Sequence, residues 1–160
     1  MTPELRALFP ITERLVYLNH AAVSPLPVQT IQATEAQLRD VFDNGSLNFR
    51  RWLSVKEDAR RLLASLLGAR AEQVAFMRNT SDALSTVANG LPWKAGDNIV
   101  TFRYEFPSNI YPWLRLRNTS GIEVRMCGER NGRVDQDDLC RLIDNRTRLV
   151  AISQVQFASG

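Results

Sequence analysis

The sequence has few side chains that could bind a metal or form a disulfide. Its 160 residues include two cysteines, Cys127 and Cys140, and a single histidine, His20. The cysteines do not have the paired spacing of a zinc site, so we expect no bound metal. Two isolated thiols without a secretory leader sequence are typical of a reducing compartment. We therefore expect a cytoplasmic protein without a metal centre.

The sequence also lacks a long apolar run and a cluster of basic residues. None of its apolar stretches is long enough to span a bilayer. Arginine and lysine together number 20 against 17 acidic residues, and the arginines are scattered along the chain. A nucleic-acid-binding surface more often carries a basic stripe with interleaved aromatic residues. We therefore expect neither nucleic acid nor a membrane as a partner.

The middle of the chain does contain a strand–helix–strand pattern. The apolar run at 74–77 is typical of a strand, and the polar residues at 79–82 are typical of a helix start. Apolar residues then recur at helical spacing as far as Gly90, which is placed to end the helix. A second apolar run at 99–102 predicts the next strand. We expect the two strands to be parallel, with a right-handed crossover.

The start of the predicted helix is a candidate phosphate site. Its first free N–H groups and the positive end of the helix dipole favour an anion, and Thr80 and Ser81 add two hydroxyls. In a parallel sheet the loops after the strands share one edge, which brings Phe106 close to this turn. A phosphate site beside a flat ring predicts a phosphorylated aromatic cofactor. The alternative is that Asn79 or Thr80 is an ordinary helix cap and that Phe106 is a core residue.

The remaining segments predict an α/β fold. Two amphipathic helices form an N-terminal helical arm, assigned to residues 1–70, and we expect the apolar side of the second helix to be core. Residues 71–160 predict the order βαβαβαβ, a mostly parallel sheet with helices on its faces. Apolar residues make up 44% of the chain, enough for the core of one domain. The predicted elements are helices at about 28–42, 52–66, 107–117 and after Asp135, and strands at about 122–126 and 148–153.

Four motifs, in order along the chain, resemble the class V aminotransferase family of pyridoxal-phosphate enzymes. The family includes isopenicillin-N-epimerase-like proteins, selenocysteine lyases, cysteine desulfurases and kynureninases. The resemblance implies the large domain of a fold-type-I transferase, here truncated, with pyridoxal 5′-phosphate as the cofactor. The motifs are Tyr17-Leu18-Asn19-His20-Ala21-Ala22, Phe76-Met77-Arg78-Asn79-Thr80-Ser81-Asp82-Ala83, Gly96-Asp97-Asn98-Ile99-Val100 followed by Glu105-Phe106-Pro107-Ser108-Asn109, and Leu149-Val150-Ala151-Ile152-Ser153-Gln154-Val155-Gln156.

The resemblance also implies roles for particular residues. Thr80 and Ser81 would anchor the cofactor phosphate and Phe106 would cover the ring. Gln156 would contact either the ring oxygen of the cofactor or the substrate. Residues 21–22, Ala21 and Ala22, would form the backbone close to the substrate. The complete protein would act on an amino acid through an aldimine, by epimerase, lyase or transaminase chemistry, and would be a homodimer.

The chain has two lysines, and neither matches the lysine that forms the Schiff base in this family. Lys56 lies in the second predicted helix and Lys94 in the turn before the strand at 99–102. Neither has the Ser-x-x-Lys context of the family. The resemblance therefore implies the N-terminal part of such an enzyme, with no catalytic residue assigned within it. We expect this fragment to be inactive.

Some residues differ from the cysteine desulfurase branch of the family. Many desulfurases have a histidine where this chain has Phe106, and phenylalanine stacks on a ring but cannot transfer a proton. Gln154 and Phe157 replace the histidine and asparagine usual in that branch, and neither cysteine matches its nucleophile. These residues favour the epimerase-like and kynureninase-like branches.

Two hypotheses of function remain from the sequence. The first is a part of a pyridoxal-phosphate enzyme acting on an amino acid. The second is a non-catalytic α/β module that binds a phosphate-bearing ligand or a partner chain.

Overall fold

A computed structural model describes residues 2–160 and divides the chain into two units, Met1–Ala75 and Phe76–Gly160. The division of the sequence into 1–70 and 71–160 stays a prediction. Helices and strands are numbered in chain order.

The described part of the first unit is helical. Its longest helices are joined by a short turn, and the second of them ends at Gly68, whose φ of 63° lies in the left-handed region that glycine adopts without strain. The first helix is capped by Thr2, whose hydroxyl accepts a hydrogen bond from the Leu5 N–H. The elements are α1 (Pro3–Ala7), a 3₁₀ turn (Pro10–Glu13), α2 (Val28–Asn44), α3 (Phe49–Leu67) and a 3₁₀ turn (Ala71–Gln73).

The carboxylate of Asp40 connects α2 to α3 by hydrogen bonds. Asp40 accepts hydrogen bonds from Nε1 of Trp52 at 2.7 Å, from Nδ2 of Asn48 at 2.6 Å and from Nδ2 of Asn44 at 2.8 Å. These donors favour the charged form and hold the pKa of Asp40 below its usual range. The helices predicted at about 28–42 and 52–66 are confirmed. The side-chain hydrogen bonds to Asp40 fix the turn between them.

The prediction that the apolar stripe of α3 is core was wrong. In the described part of the first unit only Ala64 is buried. Leu62 is 73% exposed and Leu66 81%, and α2 contains no buried residue. Helical spacing identifies an apolar face but not the surface that covers it. In this unit the two helices leave most of that face uncovered.

The second unit is an α/β layer built on a parallel sheet. Three strands lie in the order β2-β1-β3, and β1 pairs in parallel with both neighbours. The helices connect these strands in sequence, which confirms the α/β class and the parallel sheet. The elements are α4 (Thr80–Gly90), β1 (Asn98–Phe102), a 3₁₀ turn (Pro107–Asn109), α5 (Tyr111–Ser120), β2 (Glu123–Cys127), α6 (Gln136–Arg141) and β3 (Thr147–Ala151).

The core of this unit lies against the central strand β1. All five of its residues are buried, because β1 has a strand on each side and helices against its face. Ile99 packs with Trp113 and Leu116 of α5 and with Ala88 of α4. Trp113 is 1% exposed, and its indole N–H donates to Oδ1 of Asn109 at 3.2 Å. A tryptophan buried this deeply needs such an acceptor for its N–H.

The amino ends of the three strands are held together by Asp144. Its carboxylate accepts from Nη1 of Arg125, from Nδ2 of Asn98 and from the backbone N–H of Arg146, each at 2.9 Å. Arg125 lies in β2 and Asn98 in β1, while Asp144 precedes β3. The guanidinium of Arg125 and the other two donors hold the pKa of Asp144 far below its usual range.

The predicted strand at 74–77 was wrong. Residues 2–160 contain three strands and no strand pairing at 74–77, where Phe76 is 43% exposed and Met77 41%. The observed order after residue 76 is therefore αβαβαβ, not βαβαβαβ. An apolar run has strand propensity, but a strand exists only where a partner pairs with it. Among the described residues no neighbouring strand pairs with this run.

The helix predicted from residue 107 begins later. Residues Pro107–Asn109 form a 3₁₀ turn, and α5 starts at Tyr111. Because proline has no backbone N–H, a helix accepts it without loss only in its first turn, and Pro112 occupies that position. The strands predicted at 122–126 and 148–153 are shifted by one residue at their starts, to Glu123–Cys127 and Thr147–Ala151.

Candidate active site

The candidate site lies at the carboxyl edge of the sheet. Because β1 and β3 are adjacent and parallel, the loops that follow them leave from the same edge. The loop after β1 contains Phe106, and the loop after β3 contains Gln156. The helix α4 packs against the turn Pro107–Asn109 of the first loop. We call this edge the rim.

The N-terminus of α4 presents unused hydrogen-bond donors. Asn79 is the cap, since its Oδ1 accepts from the Asp82 N–H at 2.8 Å. Thr80 and Ser81 follow it, both exposed, and their N–H groups are the first two of the helix, which have no acceptor within it. Their hydroxyls bond to no other residue in the part of the chain that the structure describes. The interpretation of Asn79 as a helix cap is thus confirmed. The backbone N–H groups and the hydroxyls of the next two residues are four donors without a hydrogen-bond partner in the described chain.

An ion pair neutralises the one carboxylate in this turn. Asp82 accepts from Nη2 of Arg78 at 3.1 Å and from Nε at 3.3 Å. The hydrogen bonds from Arg78 lower the pKa of Asp82, and the same pairing raises the pKa of Arg78. The pair carries no net charge, so Asp82 adds no net negative charge to the positive end of the helix dipole.

Phe106 offers an accessible ring on the same rim. It is 52% exposed, so the alternative interpretation of Phe106 as a core residue was wrong. Its ring meets that of Phe157 edge to face, with centroids 5.3 Å apart and an interplanar angle of 85°. An edge-to-face pair is a favourable arrangement that orients both rings. The contact with Phe157 therefore orients the Phe106 ring, and much of the surface of Phe106 remains exposed to solvent.

Glu105 joins the two loops of the rim and was missed by the sequence analysis. It is 5% exposed, and its carboxylate accepts from the backbone N–H of Ser153, from the Ser153 hydroxyl at 2.7 Å and from Nε2 of Gln156 at 3.0 Å. Burial acts to raise the pKa of Glu105, but the hydrogen bonds from Ser153, Gln156 and Asn109 outweigh it and hold the pKa below its usual range. The available signal was a lone carboxylate immediately before the aromatic residue.

Gln156 is held against the rim by these contacts. Its Nε2 donates to Glu105 and also lies 3.4 Å from the Ser153 carbonyl oxygen. Its backbone carbonyl accepts from the Gly160 N–H at 2.9 Å, which closes a turn after β3. The structure thus brings Gln156 and Phe106 to one edge, and their contacts with a cofactor stay predictions.

Ala21 and Ala22 belong to the first unit, where they lie in an exposed turn. The turn is closed by the Ala22 N–H, which donates to the Asn19 carbonyl at 3.3 Å. The Tyr17 hydroxyl donates to the Val23 carbonyl at 2.6 Å, on the other side of the turn. The predicted role of this turn in substrate binding stays a prediction.

The two cysteines differ in their exposure. Cys127 is buried, and burial raises the pKa of its thiol, while Cys140 is exposed. Within residues 2–160 there is no cluster of three histidine, cysteine or acidic side chains able to hold a metal ion. No helix in the described part of the chain has the length and apolar character needed to cross a bilayer.

The residues of the rim suit a phosphorylated aromatic ligand. The open donors of Thr80 and Ser81 match phosphate oxygens, and the exposed face of Phe106 matches a planar ring. The Gln156 amide offers a polar contact at the ring edge. Pyridoxal 5′-phosphate has each of these parts, so the donor set fits this cofactor. The fold is an α/β domain, and the side chains at its rim fit such a cofactor.

A family model for aminotransferase class-V matches residues 16–160. This chain belongs to that family. A probable cysteine desulfurase from Methanothermobacter thermautotrophicus is 32% identical over 99% of the chain and 41% of the relative. The chain thus spans about two-fifths of the length of that curated relative.

Solved structures confirm the fold. A mutant of C-DES with glycine covalently linked to its PLP cofactor superposes with a TM-score of 0.85, at 22% identity, over 97% of this chain and 42% of the other. The cysteine desulfurase CsdA from Escherichia coli superposes with a TM-score of 0.81, at 25% identity, over 100% of this chain and 43% of the other. The predicted fold, that of the large domain of pyridoxal-phosphate transferases, is therefore confirmed.

Proposed function

We propose that this chain supplies the cofactor-binding rim of a pyridoxal-phosphate-dependent enzyme that acts on an amino acid. The observation that carries the proposal is that Phe106 and Gln156 lie in neighbouring loops at one edge of the sheet, and that Thr80 and Ser81, with unpaired donors, begin the helix that packs against the first of these loops. Membership of the aminotransferase class-V family supports it.

Each residue of the rim has a distinct task in this proposal. Thr80 and Ser81 donate hydrogen bonds to the phosphate, assisted by the helix dipole, while Arg78 neutralises Asp82. Phe106 stacks on the ring and excludes water from one face, and Phe157 keeps it oriented. When bound, pyridoxal phosphate supplies the aldehyde and the electron-withdrawing ring on which the family's amino-acid chemistry depends.

The finer reaction is also a proposal. Relatives carry the name cysteine desulfurase, but Phe106 has no ionisable group and holds or moves no proton at the ring face. We therefore favour epimerase, lyase or transaminase chemistry on an amino acid. In this account Phe106 contributes binding and orientation, and proton transfer falls to other groups of the whole protein.

We further propose a cytoplasmic homodimer with neither nucleic acid nor a membrane as a partner. The apolar residues left exposed on α2 and α3, such as Phe42 and Leu66, support contact with a second subunit. The free cysteines Cys127 and Cys140 support a reducing compartment. Ala21 and Ala22, in their exposed turn, are proposed to approach the substrate.

The alternative, a non-catalytic module for a phosphate-bearing ligand, is favoured by one observation. Lys94 lies in the turn before β1, at the amino end of that strand and so on the sheet edge opposite the rim. Lys56 lies within α3 of the first unit. Neither lysine belongs to the loops that form the rim. A rim without a lysine for the Schiff base could bind a phosphate-bearing ligand without catalysing a reaction on it.

The cofactor assignment is tested by comparing two ligands that differ only in the phosphate. Pyridoxal 5′-phosphate and pyridoxal are titrated into the chain, and ring absorbance and tryptophan fluorescence are followed. We expect pyridoxal 5′-phosphate to bind at least tenfold more tightly, since each charge-assisted hydrogen bond contributes about 1.5–3 kcal/mol. Inorganic phosphate should compete with it. Equal affinity of the two ligands would contradict the proposal.

A further inference from the structure

Gln156 has a side-chain amide that can act either as a hydrogen-bond donor or as an acceptor. A glutamine amide has two donor hydrogens on Nε2 and an acceptor oxygen, Oε1. Which of them faces a ligand depends on what fixes the amide. In this structure the fixing group is Glu105, a buried carboxylate from the neighbouring loop.

The chemistry of Glu105 leaves the amide a single orientation. An ionised carboxylate accepts hydrogen bonds and donates none. Its Oε1 lies 3.0 Å from Nε2 of Gln156, and a reversed amide would bring two acceptor oxygens together in a buried site. The Ser153 N–H and hydroxyl also donate to Glu105, which keeps the carboxylate in place and charged. The second hydrogen on Nε2 has the Ser153 carbonyl oxygen at 3.4 Å.

The amide oxygen of Gln156 is therefore the group left to meet a ligand. The two hydrogens on Nε2 have acceptors in Glu105 and in the Ser153 carbonyl oxygen. The amide oxygen Oε1 accepts no hydrogen bond from any residue of the described chain. Gln156 itself is half-buried, between the exposed side chains of Val155 and Phe157. An oxygen in this position accepts a hydrogen bond from a hydroxyl, an ammonium or a protonated ring nitrogen. It repels a phosphate or carboxylate oxygen.

We propose that Glu105 is a positioning residue that holds Gln156 with its amide oxygen toward the ligand, so that the rim selects a hydrogen-bond donor at this point. The proposal rests on the proposed function, because the ligand is taken to be the cofactor or its amino-acid substrate. It assigns the cofactor phosphate to Thr80 and Ser81 and excludes it from Gln156. It also gives Glu105 a role in specificity without contact with the ligand.

The orientation of Gln156 is tested first without any ligand. The side-chain amide protons of Gln156 are assigned by NMR, and their exchange with solvent is compared with that of Gln37, which is exposed on α2. We expect exchange at Gln156 to be at least tenfold slower than at Gln37, and the protection to be lost in Glu105→Gln. Ser153→Ala keeps the Glu105–Gln156 contact and should keep part of the protection. Equal exchange at the two glutamines of the wild type would overturn the proposal.

The effect on binding is tested by a double-mutant cycle with pyridoxal 5′-phosphate as the probe. Glu105→Gln frees the amide to reverse, so we expect binding about threefold to tenfold weaker, the range of one neutral hydrogen bond. In a Gln156→Ala background the same substitution should have no further effect, because Glu105 acts through Gln156. Glu123→Gln, on the exposed edge of β2, is the matched control and should bind as the wild type does.

The two possible failures give different results. If pyridoxal 5′-phosphate binds no better than pyridoxal, the proposed function fails, while the exchange rates at Gln156 still test the orientation. If the phosphate dependence holds but Glu105→Gln weakens binding equally with and without Gln156, Glu105 is merely structural and this inference is overturned.

Discussion

The side-chain amide of Asn98 donates a hydrogen bond of 2.9 Å to the carboxylate of Asp144, a residue 46 positions later in the chain. Asn98 is fully buried at the amino end of the central strand. Arg125 binds the other oxygen of the same carboxylate, also at 2.9 Å. One charged group therefore connects all three strands at the sheet edge opposite the rim.

Replacing this carboxylate should destabilise the second unit. In Asp144→Asn the charge that pairs with Arg125 is lost, and the buried Asn98 amide loses its acceptor or must share it. We expect a lower midpoint of thermal unfolding, followed by circular dichroism. Asp43→Asn, which removes an exposed carboxylate 4.0 Å from Arg39, should change the midpoint much less. Equal midpoints for the two variants would show that Asp144 does not hold the strands.

The same contact should make stability depend on pH. The pKa of Asp144 is lowered in the folded chain, so its contribution is present above the ordinary aspartate pKa of about 3.9. It is lost as the pH falls further toward the folded-state pKa. We expect the free energy of unfolding to decrease from about pH 4 downward. Asp144→Asn should flatten this decrease in denaturant titrations at several pH values, and an unchanged slope would contradict the assignment.

The ring of Phe106 should contribute measurably to cofactor affinity. Phe106→Ala removes the stacking surface, so binding of pyridoxal 5′-phosphate should weaken by about 1 kcal/mol, or roughly fivefold. Phe106→Tyr retains the ring and should bind nearly as the wild type does. Phe42→Ala removes an exposed ring from α2 and serves as the control. An unchanged affinity in Phe106→Ala would remove the ring from the site.

The exposed apolar face of α3 should cause the isolated chain to associate. Leu62 and Leu66 lie one helical turn apart and are both largely exposed, and apolar patches of this kind promote contact between molecules. We expect the chain to be oligomeric or poorly soluble, and Leu62→Gln/Leu66→Gln to shift sedimentation toward the monomer. A wild type that sediments as a monomer at all concentrations would contradict this.

The isolated chain should show no turnover. Neither Lys56 nor Lys94 belongs to the rim loops, and neither has the Ser-x-x-Lys context of the family's Schiff-base lysine. With pyridoxal 5′-phosphate and a panel of amino acids, we expect no racemisation, transamination or sulfur release by chromatography. Activity that disappears in Lys94→Arg or Lys56→Arg would show that one of these lysines has been wrongly excluded.

Local chemistry made several parts of the fold predictable. A helix was predicted after Asp135, and the Asp135 carboxylate caps that helix by accepting from the Asp137 N–H at 2.8 Å. Asn79 and Thr80 were the two candidate caps of the central helix, and Asn79 is the cap. Pro112 lies in the first turn of α5, where a helix accepts proline. These features depend on neighbours within a few residues, which the sequence displays directly.

Features that depend on distant partners were not predictable in the same way. The apolar run at 74–77 has strand character but no pairing, because pairing depends on a neighbouring strand that local sequence does not reveal. The apolar stripe of α3 is exposed for the same kind of reason. Glu105 gains its role only when β3 brings Ser153 and Gln156 beside it, about 50 residues later.

The central claim is that the start of α4 binds the phosphate of the cofactor, and one titration tests it most directly. Pyridoxal 5′-phosphate is titrated into the wild type, Thr80→Ala/Ser81→Ala and Ser46→Ala, where Ser46 is an exposed serine of the loop before α3. The loss of one charge-assisted hydrogen bond costs about 1.5–3 kcal/mol, so the double variant should bind at least tenfold more weakly even if only one of the two hydroxyls contacts the phosphate. Ser46→Ala should match the wild type. Equal affinities in all three proteins would contradict the claim that this turn holds the phosphate.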